Sequence, residues 1–267
     1  MLYDSHNQII IMEQQKELGD VISKIENEVG FITFYHPKSN SLPARLLQKL
    51  TNAINDFSQS ANVKVIVIQS EGDGAFCAGA SFDELLSIQD TETARNFFLG
   101  FARVILAMRN APKFVIARVQ GKAVGGGVGI ACAADYVIAT QSASVKLSEL
   151  SVGFGPFVIG PVVERRIGIT AFQTLSINAT DWRSASWAQE KGLFAEVYKD
   201  IFELDNAVNK LSIQLAQSNP AAMKELKNIF WQDTRHWEAL LEERASISGH
   251  LALSEFAVRI MQKFKQG

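Results

Sequence analysis

Two stretches of this chain are nearly bare of side chains, and one carboxylate stands among apolar residues beyond the second. The first stretch is Ala78-Gly79-Ala80, inside a loop of small residues over 71–84. The second is Gly125-Gly126-Gly127, within a run that carries five glycines between Gly121 and Gly129 and leads into a helix. A helical glycine costs about 1 kcal/mol against alanine. A run of them therefore points to something that must approach the main chain closely. The first N–H groups of a helix lack partners within it and carry partial positive charge. One N–H from each stretch, converging on a single point, would form an oxyanion hole; losing one such donor typically costs about 2.7–4 kcal/mol. The structural alternative is tight helix–strand packing. The carboxylate is Glu149. With Leu147 and Leu150 on either side it is expected to be partly desolvated, and its pKa to rise, as suits a base near neutral pH. Its structural alternative is a buried carboxylate satisfied by backbone N–H groups.

Other chemistries find less support. Neither glycine stretch fits G-x-G-x-x-G, because the last position falls on Cys132 or Cys77, and no G-x-x-x-x-G-K-[ST] occurs. No cysteine or histidine spacing suits a metal. Cys77 and Cys132 lie among small apolar residues and read as buried thiols. His6 falls in a polar leader, His36 precedes a proline in a turn, and His236 and His250 fall in tail helices as surface or interface residues. No serine–histidine pair has nucleophile-elbow spacing. A net charge of −2 argues against a general polyanion binder.

The elements that must hold these groups follow from hydrophobic period. Val21 to Glu26 and Phe31 to Tyr35 read as a hairpin about Asn27–Gly30. Leu46, Leu47, Leu50, Ile54 and Phe57 mark the face of a helix. Val63 to Ile68 is apolar throughout, as in a strand covered on both sides. Ser81 or Asp83 can cap the helix after the first bare loop. Thr93 to Asn110 is helical, Phe114 to Val119 and Tyr136 to Ala139 are strands, and Val158 to Gly168 is a helix. Helices dominate from Leu204 onward, with Pro220 at a helix start. Strands alternating with helices, then helices alone, give an α/β fold with a helical tail. The tail has little core of its own and is expected to pack on the body or on a neighbouring subunit. The division is a loose leader over 1–19, a core over 20–203 and a helical region over 204–267. Nothing in the sequence reads as a membrane span, and a cytoplasmic location is the default.

Four segments in this order resemble the crotonase family, the enoyl-CoA hydratases and isomerases: Ala75-Phe76-Cys77-Ala78-Gly79-Ala80, Val119 to Gly127, Ala134-Asp135-Tyr136, and Leu147 to Gly153. The resemblance runs from about Val21 onward. It implies a ClpP-like spiral of β-β-α units whose helical tail drives trimers, often paired into hexamers. It implies an acyl-CoA thioester as partner, with coenzyme A arriving as part of the substrate and no separate cofactor or metal. Matched by position, the oxyanion donors are Ala80 and Gly126, and Glu149 is the catalytic acid/base. Ser39, Ser41 and Leu42 match the first CoA-contacting loop; Ala78, Ser81, Phe82, Gly125 and Gly129 complete the expected binding set.

Family hydratases carry two glutamates, one three residues past the oxyanion glycine and one twenty further on. Here the first position is Gly129 and the second is Glu149. Hydration uses both carboxylates to hold and activate a water. Moving a double bond needs one base, which takes a proton from one carbon and returns it to another. The lone Glu149 therefore favours isomerisation. A hydratase, for a 2-enoyl-CoA or a branched methylglutaconyl-type substrate, is the close alternative, and a non-catalytic CoA- or RNA-binding relative the third. The absence of a lysine-rich helix weighs against RNA. Asp83 and Glu84 could reach the pocket rim, although capping and solvent exposure suit them better. Asp83 stands near where many relatives carry a lysine close to the CoA adenine. Tail residues such as Phe230, Trp231, Arg235, Trp237, Phe256 and Lys263 could close the acyl end or meet CoA phosphates; ordinary packing is the alternative.

Overall fold

The computed structural model describes residues 18–266. The leader expected over 1–19 lies, apart from its last two residues, outside them, and so does His6. With elements numbered in chain order, β1 (Asp20–Glu26) and β2 (Val29–Tyr35) form a hairpin in register from Asp20 opposite Tyr35 to Glu26 opposite Val29. Its turn is Asn27 and Glu28 alone, at φ 49° and 62°, a twist that matches the flanking strands. Val29 and Gly30, expected in the turn, instead open β2.

β3 (Val65–Ser70), β4 (Phe114–Val119), β6 (Tyr136–Thr140) and β9 (Glu196–Tyr198) continue from β2 in parallel. The large sheet runs β1-β2-β3-β4-β6-β9. After each of β2, β3, β4 and β6 the chain makes a second, short extended pass and then enters a helix. Those passes are Leu42, the stretch 77–80, β5 (Ala123–Val124) and β7 (Ser144–Lys146). They lie side by side: Leu42 bridges Ala80, Cys77 bridges Ala123, and β5 pairs with β7. β8 (Arg183–Ser184) closes the row against β7. Strand, short strand and helix repeat, so the chain winds as a β-β-α spiral, as expected.

The helices fill both sides. α1 (Ala44–Gln59) buries the expected Leu46, Leu47, Leu50, Ile54 and Phe57. α2 (Phe82–Ser87), α3 (Thr91–Asn110) and α4 (Gly126–Ala133) follow. α5 (Gly160–Ile177) runs past its expected end, because Gly168, at φ 77° and ψ 158°, breaks it and the helix resumes. After α6 (Ala185–Glu190), α7 (Ile201–Ala216) crosses the large sheet. There Leu204, Val208 and Ala216 pack on Val29, Val65, Val67, Ile116 and Ile138. This second covered face explains why β3 shows no polar alternation. α8 (Pro220–Phe230) starts on an Asn219 cap with proline at its first turn. α9 (Trp237–Ala252) packs along α3, and α10 (Glu255–Gln266) lies against α2 and the turn that holds Glu149. The tail thus packs on its own body.

One buried ion pair fastens that tail. Lys227 donates to Asp135 Oδ2 at 2.8 Å and to the carbonyls of Met108 and Lys113 at 2.7 and 2.8 Å. Asp135 also accepts from Trp231 Nε1 at 2.9 Å and the Val115 N–H at 2.8 Å. Both charges are fully hydrogen-bonded, the condition under which burying them is tolerable. Among the described residues, no helix is long and apolar enough to cross a membrane. Nor does any group of three or more histidine, cysteine or acidic residues stand where it could hold a metal.

Candidate active site

The two bare stretches meet. Leu42 donates to the Gly79 carbonyl at 2.8 Å and accepts from the Ser81 N–H at 3.4 Å. A parallel bridge of this kind uses the groups on either side of Ala80, so the N–H of Ala80 itself points to the opposite edge of the strand. That edge faces 122–125: Cys77 donates to Lys122 O at 3.2 Å and accepts from Val124 at 2.9 Å. Gly79 stands at φ +84°, where a β-carbon would lie 2.8 Å from Val124 O and 3.4 Å from Gly126 N. Gly125, at φ 51° and ψ −116°, turns the chain sharply into α4, a conformation kept for glycine. It leaves Gly126 as the first residue of the helix. Among the described residues, neither the Ala80 N–H nor the Gly126 N–H donates to a protein acceptor, and both residues line one cavity. Two free amides on adjacent segments, one at a helix start, can share a negatively charged oxygen.

Glu149 faces the same cavity. It opens a single 3-10 turn, Glu149–Val152, which ends at Gly153 in the left-handed region. Its carboxyl group covers Gly125 so closely that a β-carbon there would stand 2.7 Å from Oε1. The residue is 9% exposed, and Oε2 has no hydrogen-bond partner. Burial pushes its pKa up to about 7, outweighing a hydrogen bond from its own backbone N–H that pulls the other way. At neutral pH it is poised to give or take a proton. The source of the desolvation differs from the expectation in one respect. Leu147 is buried, but Leu150 is 54% exposed, because the tight turn swings it outward. Gly125 and the cavity's apolar walls take its place.

Phe82, Phe98, Phe101, Phe154, Phe157 and Ile159 supply most of those walls, around about 490 Å³ of space, mouth included. The Phe98 and Phe154 rings meet edge to face, with centroids 5.5 Å apart. Ser148 and, from α9, Ser248 also reach the lining. Of the tail residues considered above, Trp231 and Trp237 are buried in packing, Phe230 stacks on Phe114, and none lines the cavity.

The site brings together Ala78, Ala80, Phe82, Gly125, Gly126 and Glu149. Gly129 does not line it. That glycine is buried one turn along α4, donating to Gly125 O at 3.1 Å. A β-carbon there would stand 2.7 Å from Ile159 Cβ and closer still to Cγ2. Ile159 therefore fills the place where the resemblance puts the first carboxylate. No pattern in the sequence links positions 129 and 159; only the fold brings the isoleucine onto the glycine.

Ser39, Ser41 and Leu42 stand one strand outward from the cavity, and Ser81, between the lining residues Ala80 and Phe82, does not itself line it. The Ser39 carbonyl accepts from Ala78 N–H at 3.0 Å, Ser41 Oγ meets His36 Nδ1 at 2.9 Å, and Ser81 caps α2. Asn40 ties this loop to the next by donating to the carbonyls of Glu71 at 3.1 Å and Ala75 at 2.9 Å. Asp83 and Glu84 are not cavity residues. Asp83 pairs with Lys38, while Glu84 caps α1 by accepting from the Ala44 N–H at 2.7 Å. Cys77 and Cys132 are buried and unpaired, and burial pushes both thiols up to about 12. His236 and His250 are exposed.

A β-β-α spiral with two free main-chain amides at its glycine corners, and helices folded back over them, has the crotonase architecture. Residues 24–252 match the family model for enoyl-CoA hydratase/isomerase, and the chain belongs to that family. The crystal structure of the enoyl-CoA hydratase from Bacillus halodurans superposes with a TM-score of 0.84 at 22% identity, over 91% of this chain and 99% of that one. The short-chain-enoyl-CoA hydratase of Clostridium acetobutylicum is 28% identical over 210 residues, 78% of this chain and 79% of its own length. The human mitochondrial methylglutaconyl-CoA hydratase is 31% identical over 192 residues, 70% of this chain and 56% of its own length.

Proposed function

We propose that this enzyme acts on an enoyl-CoA thioester and moves its double bond, with Glu149 as the single acid/base. The thioester oxygen sits between the N–H groups of Ala80 and Gly126, the second of them at a helix start, where the dipole favours negative charge. With a 3-enoyl thioester, the Glu149 carboxylate removes a proton from C2. The electron pair spreads onto the oxygen and along the chain as a dienolate, and the protonated Glu149 returns the proton to C4. The product is the 2-enoyl thioester, and no water or cofactor is consumed. Coenzyme A enters as part of the substrate, along the segment of Ser39, Ser41 and Leu42 that borders Ala78 to Ser81.

The observation that carries this reading is the pairing of one buried carboxyl over Gly125 with an isoleucine, in place of a second carboxyl, beside Gly129. Hydration of a 2-enoyl-CoA is the second reading, favoured by the activities for which the Clostridium and human relatives are named. Assays with matched 2-enoyl- and 3-enoyl-CoA separate the two. Conversion of the 3-enoyl thioester, lost in Glu149→Gln while acyl-CoA binding persists, supports isomerisation. Fast water addition to the 2-enoyl thioester would overturn it. As a family trimer or hexamer, the protein should elute from a sizing column at three or six times its chain mass.

A further inference from the structure

Gly125 caps α4, and Gly129 lies one turn into the helix, donating to the Gly125 carbonyl at 3.1 Å. The Glu149 carboxyl covers the first and Ile159 the second. Ile159 is 4% exposed and lines the cavity. Its carbonyl accepts the Val163 N–H at 3.0 Å at the start of α5, which anchors its backbone. Glu149 is the one ionisable side chain among the described residues that line the cavity, and burial is the chief influence on its carboxyl.

We propose that Ile159 is the specificity-determining residue that keeps water from the reacting carbons and so limits Glu149 to moving a proton within the substrate. This rests on the isomerase reading. A hydratase must hold a water beside C3 of the enoyl group while a proton is added at C2. In this chain the position that would present the second carboxylate is a bare glycine, and only carbon atoms of Ile159 pack against it. The isoleucine thus has two linked effects. It occupies the space of a water and its holding carboxylate, and it thickens the apolar wall that keeps Glu149 dry. A glutamate at 129 could not be accommodated unless Ile159 gave way.

The test uses Ile159→Ala, with Ile159→Val as a milder variant that keeps the β-branch. Two readouts are taken on the full chain. The first is the titration of the Glu149 carboxyl without substrate, by infrared difference spectroscopy with Glu149→Gln as the reference. The second is the ratio of water addition on a 2-enoyl-CoA to double-bond transfer on the 3-enoyl isomer. In Ile159→Ala the midpoint should fall by about one pH unit or more as water reaches the carboxyl, and the ratio should rise by about tenfold or more. Ile159→Val should lie between alanine and wild type, and serves alone if the alanine variant does not fold. An unchanged midpoint and an unchanged ratio would overturn the role of Ile159. A wild-type protein that moves no double bond would instead sink the isomerase reading, and the substrate-free titration would still judge whether Ile159 keeps the carboxyl dry.

Discussion

Replacing Glu149 with glutamine should make the protein more stable at alkaline pH while removing its proton chemistry. The folded carboxyl has its pKa raised from 4.5 to about 7 by burial. Below pH 4.5 both the folded and the unfolded chain hold that proton, and the group adds no pH dependence. Between 4.5 and about 7 the unfolded chain releases the proton while the folded one keeps it. The folded state then binds more protons, so stability falls as pH rises, and the loss is complete once pH passes the folded pKa. At about 1.4 kcal/mol per pH unit, the gap corresponds to a loss on the order of 3 kcal/mol. Glutamine has the same shape and no charge to desolvate, so its variant lacks this loss. Its amide must still be buried where Oε2 finds no partner, which adds an offset independent of pH. The assay is urea unfolding of both proteins at fixed concentration from pH 4.5 to 8.5. The difference in unfolding free energy, variant minus wild type, should climb with pH and level off above about 7. Parallel curves would show that the carboxyl is solvated and refute the reasoning.

Gly125→Ala should cost about 1–3 kcal/mol of stability from backbone strain alone. Its methyl would also push on Glu149 Oε1, so turnover should fall more than thermal melting implies; native-like turnover would show that the carboxyl is placed elsewhere. Thioesters with a distal carboxylate should be poor substrates, because a second anion would lie among phenylalanines and beside Glu149 without a cation. Uncompensated burial costs several kcal/mol, so their kcat/KM should trail an apolar acyl group of equal length by about 100-fold or more, measured in parallel assays. Lys227→Met should destabilise by about 3–5 kcal/mol by leaving the Asp135 charge buried without its partner. Adding Asp135→Asn should recover part of that loss in chemical denaturation.

The parts legible in the sequence were those set by main-chain demands. Gly79 and Gly125 stand where a β-carbon would strike backbone or the Glu149 carboxyl, and such positions show as glycine whatever surrounds them. Helices with a long apolar face, such as α1, were legible for the same reason that they are stable. The misses share a different cause. β5, β7, β8 and β9 have two or three residues each, too few to display a period. The outward swing of Leu150 depends on a 3-10 turn that no propensity marks. Glu84 does cap, as the stronger of its two readings had it, but the helix it caps is α1 across the spiral, a partner that spacing along the chain does not reveal. Ile159 was invisible because a bare glycine does not say which distant side chain occupies its space.

The last helices give this pocket a timetable. Ser248 forms part of its wall, and α10 sits on the Glu149 turn so tightly that a β-carbon on Gly153 would stand 2.7 Å from Ala257 Cα. These residues leave the ribosome roughly 100 positions after Glu149, about 5–20 s later at about 5–20 residues per second. Throughout that interval the Glu149 turn has open solvent on the side that the tail later covers. A nascent chain can therefore wind its spiral and line most of the pocket while one wall is still missing, and the pocket closes only when the last helices dock.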